Sequence, residues 1–220
     1  MIDLPDFSKA IEYENNFYLS CDVGRISKII AHYELFKKTI DLPGAIVECG
    51  VFKGSSFSRF AMFRDMFANP DGKKMIAFDV FGKFPIPSLK EDKEFRKNFV
   101  AEAGEESISE KQLMKVLTHK KIEKNIELVK GDICKTLPVY VKKHPELKIS
   151  LLNLDTDIYD PAVVILKHLW PRIVKGGILV LDDYGIFPGE NKAVDDFFKD
   201  KKIKIRKFPY VRTPSYILKE

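Results

Sequence analysis

At 220 residues, with 45% hydrophobic and 31% charged residues, the chain has the make-up of one sizeable globular domain. Its net charge of +5 is spread over runs such as KKHPELK and KDKKIKIRK, which read as a solvated face rather than a nucleic-acid surface. Three scattered cysteines (Cys21, Cys49, Cys134) offer neither metal spacing nor a disulfide framework, so a reducing, cytoplasmic setting is expected. The acidic start MIDLPDFSKAIEYENN lacks a signal-peptide pattern, and no apolar run approaches the roughly 20 residues of a membrane span, so no membrane insertion is expected.

In chain order, residues 1–43 read as an N-terminal helical segment. There VGRISKIIAHYELFKKTI places Ile26, Ile29, Ile30, Tyr33, Phe36 and Ile40 on one stripe. After the LPG breaker comes a short strand, AIVECG, and then a helix that Ser55 or Ser56 can cap. KKMIAFDVF, NIELVKGD, ISLLNLD and GGILVLDD read as further strands. A helix begins at Asp160 and Pro161, and KIKIRKF and PSYILK close the chain as two more strands. Strands that are apolar on both faces and separated by helices predict an α/β fold with a parallel sheet covered on both sides. The one long interruption, residues 82–112, is polar and partly helical, ends in a Ser109–Gln112 capping box, and suits a lid or acceptor loop.

In such a sheet, ligands sit beyond the carboxyl ends of the strands. Every one of the first five strands delivers acid there: Glu48, Asp79, Asp132, then Asp155 with Asp157, then Asp182 with Asp183. Carboxylates crowded on one rim repel, so a cationic or donor-rich guest is expected. Gly50 and Gly54 allow the backbone of the first turn to approach a ligand closely. A nucleoside fits Glu48, Asp79 and Asp132, with Asp79 placed to accept from ribose hydroxyls. A hard divalent cation, Mg²⁺ by preference, fits Asp155, Asp182 and Asp183, because no His or Cys accompanies them. Adjacent strand residues point to opposite faces, so Asp182 and Asp183 share an ion only if the strand bends. Of Asp155 and Asp157, one could hold metal while the other takes a proton.

GAIVECGVFKGSSF, IAFDVFGKFP, VKGDICKTLP, LLNLDTDIYDP and GGILVLDDYG, in that order, resemble the macrocin-type (TylF-like) sugar O-methyltransferases that use S-adenosylmethionine. The resemblance runs from Gly44 to about Gly185. It implies a Rossmann-like class I methyltransferase fold over residues 1–220, a single domain whose seven-stranded, mostly parallel sheet ends in an antiparallel strand. It implies that Glu48, Gly50, Gly54 and Ser55 surround the methionine part of the cofactor and that Asp79 and Phe81 flank the ribose. Asp132 and Ile133 would flank the adenine. The resemblance also makes Asp155, Asp182 and Asp183 metal ligands, makes Asp157 the general base, and implies a small-molecule sugar acceptor and a homo-oligomer such as a dimer.

Two rival enzyme classes use similar parts. A metal-dependent catechol-type methyltransferase shares the fold and the ion. A nicotinamide-dependent dehydrogenase is suggested by Tyr33 and Lys37, but that pair precedes the first strand, and the glycine loop lacks G-x-G-x-x-G spacing. Nucleic-acid methylation would need an Asn/Asp-Pro-Pro-aromatic motif, and Ala162 after Pro161 breaks it. His32 and His119 remain as alternative bases.

Overall fold

In a computed structural model describing residues 2–220, strand and helix alternate from Ala45 onward. The strands are β1 (Ala45–Cys49), β2 (Met75–Asp79), β3 (Ile126–Lys130), β4 (Ile149–Leu154), β5 (Ile173–Leu181), β6 (Arg206–Lys207) and β7 (Ser215–Leu218). The helices are α1 (Ala10–Ser20), α2 (Val23–Lys37), α3 (Ser55–Phe67), α4 (Lys90–Ala103), α5 (Glu110–His119), α6 (Ile133–Lys143), α7 (Tyr159–Leu169) and α8 (Pro188–Phe198). One sheet runs β3-β2-β1-β4-β5-β7-β6. Its first five strands are parallel, and β7 pairs antiparallel with both β5 and β6, as expected.

Strands β1, β2 and β4 are buried at every position, so the sheet needs cover on both faces. Leu137, Ile165, Leu166 and Val194 of α6, α7 and α8 supply one side, and Leu35, Phe57, Phe60 and Leu113 of α2, α3 and α5 supply the other. The strand order reverses between β1 and β4, where the outgoing connections diverge and open a crevice at the carboxyl edge.

Local expectations fail in instructive places. α2 turns Ser27, Ala31, His32, Leu35 and Phe36 inward and leaves Ile30 exposed, because polar bonds of His32, described below, fix its rotation. Neither Ser55 nor Ser56 caps α3; Gly54 occupies that position with φ 81°, and the Ser56 hydroxyl donates to Glu48 instead. α6 contains Pro138, and α8 opens on PGENK, which reads as a turn, so neither helix is legible by period. The strand expected in KIKIRKF shrinks to two residues.

The insertion is folded rather than loose. Arg96 ties its base together by donating to the Phe84 carbonyl (2.7 Å), the Pro85 carbonyl (2.8 Å) and Glu105 (2.7 Å). The Ser109–Gln112 capping box forms as expected. Asp92, buried on α4, accepts from the Tyr159 N–H at 2.9 Å and from the backbone of Gly189. Those are the first turns of α7 and α8, and neither helix has a side-chain cap of its own. One carboxylate therefore caps two helices in trans and fastens α4 to both. At Gly189 a Cβ would lie 2.1 Å from the Asp92 carboxylate, so the contact also needs a glycine. Asp92→Ala should cost about 1–2 kcal/mol for each helix end and speed amide exchange in α4 ahead of the sheet. Unchanged exchange in α4 would refute the fastening role.

Candidate active site

A cavity of about 1100 Å³ opens at the carboxyl edge of the sheet, bounded by the β1–α3 loop, the ends of β2, β4 and β5, and helix α4. It has room for a nucleoside-sized molecule and a second small molecule together.

The β1–α3 turn forms one wall. Gly50 has φ 90°, and a Cβ there would sit 1.7 Å from the Asp155 carbonyl oxygen. The approach anticipated from a ligand is made by the protein's own β4 end. Gly54 packs against Leu113 and Ile108 and does not line the cavity, whereas Gly50 and Ser55 do. Asp79 lines the cavity, but its carboxylate is already occupied by its own chain. It accepts the N–H groups of Val51 (2.7 Å), Phe52 (3.2 Å) and Phe81 (2.6 Å) and a hydroxyl from Ser107 at 3.4 Å. Asp79 thus shapes the loop, and Phe81 lies buried behind the wall. Asp132 caps α6 by accepting the Cys134 N–H at 3.0 Å, and with Ile133 it lines the cavity beyond β3.

Glu48 also sits behind the wall, 1% exposed, where it accepts from the Ser56 hydroxyl (2.9 Å) and from Asn153 Nδ2 (3.4 Å). Burial pushes its pKa to about 8, against the pull of the Ser56 hydrogen bond. The folded protein therefore keeps a proton that the unfolded chain releases near pH 4.5, so stability falls as pH rises from there through 8. Glu48→Gln removes the titration, and its new amide can donate to Asn153 Oδ1, which has no partner. The variant should gain on the order of 3–5 kcal/mol over the parent at pH 8, and the gap should close toward pH 4.5. Parallel melting curves across that range would rule this out.

Four acids meet at the ends of β4 and β5. Carboxylate oxygens of Asp155, Asp157 and Asp183 lie within 4.8 Å of one another. The trio expected to share an ion was Asp155, Asp182 and Asp183; in the structure Asp157 stands in the place of Asp182. Asp157 reaches the cluster because its backbone adopts φ 63°. Asp182, next to Asp183 in the turn that follows β5, lines the same cavity, but its oxygens turn to α2. There it pairs with the Lys28 ammonium and with His32 Nε2 at 2.9 Å.

His32 is fully buried, and its Nδ1 lies 2.9 Å from Arg59 Nη1. Arg59 can only donate, so Nδ1 accepts and Nε2–H donates to Asp182. Burial lowers the His32 pKa, and Arg59 and Lys28 reinforce the neutral form. With both nitrogens engaged, His32 holds no free lone pair for a substrate proton. His119 stacks on Phe7 and is remote from the site. Burial alone would raise Asp182, but the Lys28 ammonium and the His32 hydrogen bond overcome it and hold the carboxyl well below its usual range. Asp155 is pushed well up by burial and then by the charges of Asp182 and Asp183; Asp157 is pushed up by burial and Asp183. Asp183 rises for the same reasons.

This trio is thus a set of oxygen donors, Asp157 buried and Asp155 and Asp183 half-buried, whose nearest ammonium is taken by Asp182. Such a set fits a hard divalent cation. Beside it, the buried Thr156 hydroxyl lines the cavity without a hydrogen-bond partner. Tyr159 and Tyr184 turn away, donating to Asp196 and Asp195 of α8.

Sequence reading overlooked Lys28, Arg59 and Thr156. Lys28 and His32 stand four residues apart on α2, so they share one face of the helix, and that spacing was the available signal.

Comparisons with known proteins agree with this architecture. The family model of the macrocin O-methyltransferases (TylF) matches residues 25–208. Demethyldecarbamoylnovobiocin O-methyltransferase of Streptomyces niveus is 24% identical over 165 residues, 71% of this chain and 59% of the relative. The chain therefore spans less than two thirds of that relative's length. The calicheamicin methyltransferase CalS11 superposes with a TM-score of 0.80 at 25% identity, over 98% of this chain and 86% of the other. The O-methyltransferase NovP superposes at 0.73 and 19% identity, over 88% of this chain and 80% of that one. Among the described residues no helix is long and apolar enough to cross a membrane.

Proposed function

The chain belongs to the macrocin O-methyltransferase family, and we propose that it moves a methyl group from S-adenosylmethionine to a sugar hydroxyl with a magnesium ion at the site. The observation that carries this reading is the convergence of Asp155, Asp157 and Asp183 beside the glycine turn of a methyltransferase-like sheet.

In this reading Gly50 and Ser55 face the methionine part of the donor, the Asp79-braced turn faces its ribose, and Asp132 with Ile133 faces its adenine. Glu48, Gly54 and Phe81 support those positions from behind. Asp155 and Asp183 would hold the cation, with the Asp157 carboxylate beside them. A divalent ion bound there lowers the pKa of a hydroxyl and offsets the crowded acids. Asp157, at the tip of its turn, accepts the hydroxyl proton. The insertion acts as a lid: Phe95 and Phe99 of α4 pack against Phe187 at centroid distances of 6.0 and 6.1 Å, an apolar wall that keeps water from the reacting atoms.

A nucleotide-activated or otherwise conjugated sugar is the proposed acceptor, in keeping with the cations that line the cavity. Cytoplasmic residence is part of the proposal, supported by three free cysteines. So is a homodimer. α1 has no buried residue and exposes Ile11, Tyr18 and Leu19, and an isolated helix of that length is only marginally stable.

The test is turnover of labelled S-adenosylmethionine with nucleotide sugars and with a catechol, with and without EDTA. Transfer to a sugar that EDTA stops is the expected result. Transfer to the catechol alone would replace the sugar reading, and full activity in EDTA would remove the ion.

A further inference from the structure

Six cationic side chains line the cavity, and four are engaged. Lys28 holds Asp182, Arg59 meets His32, Lys53 donates to the Ala103 carbonyl at 2.5 Å, and Lys83 pairs with Glu105 at 3.5 Å. Arg25 and Arg212 remain, exposed, with no hydrogen bond or ion pair to either guanidinium among the described residues. Asp22, the nearby acid at the start of α2, is itself turned to the Gly24 N–H at 2.7 Å.

Their placement follows from the fold. Arg25 precedes Lys28 by three residues on α2, which puts both on one face of the helix, and Lys28 reaches Asp182. Ser215 of β7 is opposite Leu181 of β5 in an antiparallel pair, so the chain leading into Ser215 passes the ends of Asp182 and Asp183. Arg212 lies on that approach. The two guanidiniums flank the same end of the sheet rim, one from a helix and one from a strand connection. Asp132 lies beyond β3, five strand positions from β7, or roughly 24 Å at ordinary strand spacing. The free cations are therefore at the opposite end from the adenine wall.

We propose that Arg25 and Arg212 form the acceptor's anion subsite and bind the diphosphate of a nucleoside diphosphate sugar. This rests on the sugar-methylation reading and narrows it to an anionic acceptor. A guanidinium presents a planar fork of donors that matches phosphate oxygens, which makes arginine suited to this task. With no carboxylate already bound, neither side chain has an internal contact to give up. The methionine carboxylate of the donor is a rival anion, so the test separates the two.

The experiment uses the full chain and the single and double Arg25→Gln and Arg212→Gln variants. A nucleoside diphosphate sugar is compared with the methyl glycoside of the same sugar. Each substitution should raise KM for the nucleotide sugar roughly tenfold to hundredfold, with a far smaller change in kcat. The parent's KM should climb with salt, and that dependence should weaken in the double variant. Donor affinity, read by calorimetry, should move little. Equal KM values for the two acceptors in the parent would overturn the subsite and leave sugar methylation standing. A weakened donor with an unaltered acceptor KM would assign the pair to the methionine carboxylate instead. Calorimetry with UDP and dTDP gives a readout without turnover. Binding that the double variant loses supports the subsite even if no tested sugar reacts, and no binding at millimolar nucleotide overturns it.

Discussion

Asp157→Ala is expected to lower kcat by ~10²–10⁴ while S-adenosylmethionine affinity stays within a few-fold. Asp157 is 7% exposed, faces the cavity, and reaches Asp155 and Asp183 through a backbone turn with φ 63°. A non-glycine residue in that conformation carries about 1–3 kcal/mol of strain, which persists only where the surroundings impose it. Alanine removes the one carboxylate in the cluster that the backbone brings in by this turn, and with it a proton acceptor. The protein should not be destabilised by the change, because burial and the charge of Asp183 hold the Asp157 carboxyl far above its ordinary pKa. A stable variant with little activity is thus the predicted pair of observations, read by steady-state rates and thermal melting. A kcat within tenfold of the parent would take Asp157 out of the chemistry. Asp182→Asn makes a useful contrast. Asp182 carries the Lys28 and His32 contacts, so its loss should appear first as lowered stability.

The second large effect is structural. Gly50→Ala should destabilise the fold by roughly 2–5 kcal/mol, from left-handed backbone strain plus overpacking. The added methyl would lie 1.7 Å from the Asp155 carbonyl oxygen and 2.6 Å from its carbonyl carbon. Backbone on both sides must move, and both sides are anchored. The Gly50 N–H donates to the Phe78 carbonyl at 2.9 Å, and the Asp155 N–H donates to the Cys49 carbonyl at 2.9 Å. Relief shifts the Asp155 backbone, and with it the carboxylate that stands beside Asp157 and Asp183. Donor affinity and cation affinity should therefore fall together, which single substitutions of the acids would not produce. An alanine variant with the parent's melting temperature and donor affinity would contradict the close approach.

Much of this was legible in the sequence. Five largely apolar strands, each ending in or leading straight into acid, required a covered parallel sheet with a negative rim. The motifs around Gly50, Asp79, Asp132, Asp155 and Asp182 carried the family resemblance. The Ser109–Gln112 box was readable because both partners lie within one turn. α6 and α8 were not, since Pro138 and the PGENK start imitate turns. Nor was the orientation of α2, whose apolar stripe is overridden by the bonds of buried His32 to Asp182 and Arg59.

The sequence by itself determined that acids would gather at one edge, because strand endings and helix starts are local properties of composition and period. Only the tertiary structure decided which of them face each other. Asp157 joins Asp155 and Asp183, while Asp182 turns to a lysine 154 positions away and a histidine 150 positions away. Asp92 likewise caps helices that begin 67 and 96 positions later. A carboxylate's direction depends on one backbone dihedral and on partners brought in from distant segments, and neither leaves a periodic trace in the chain.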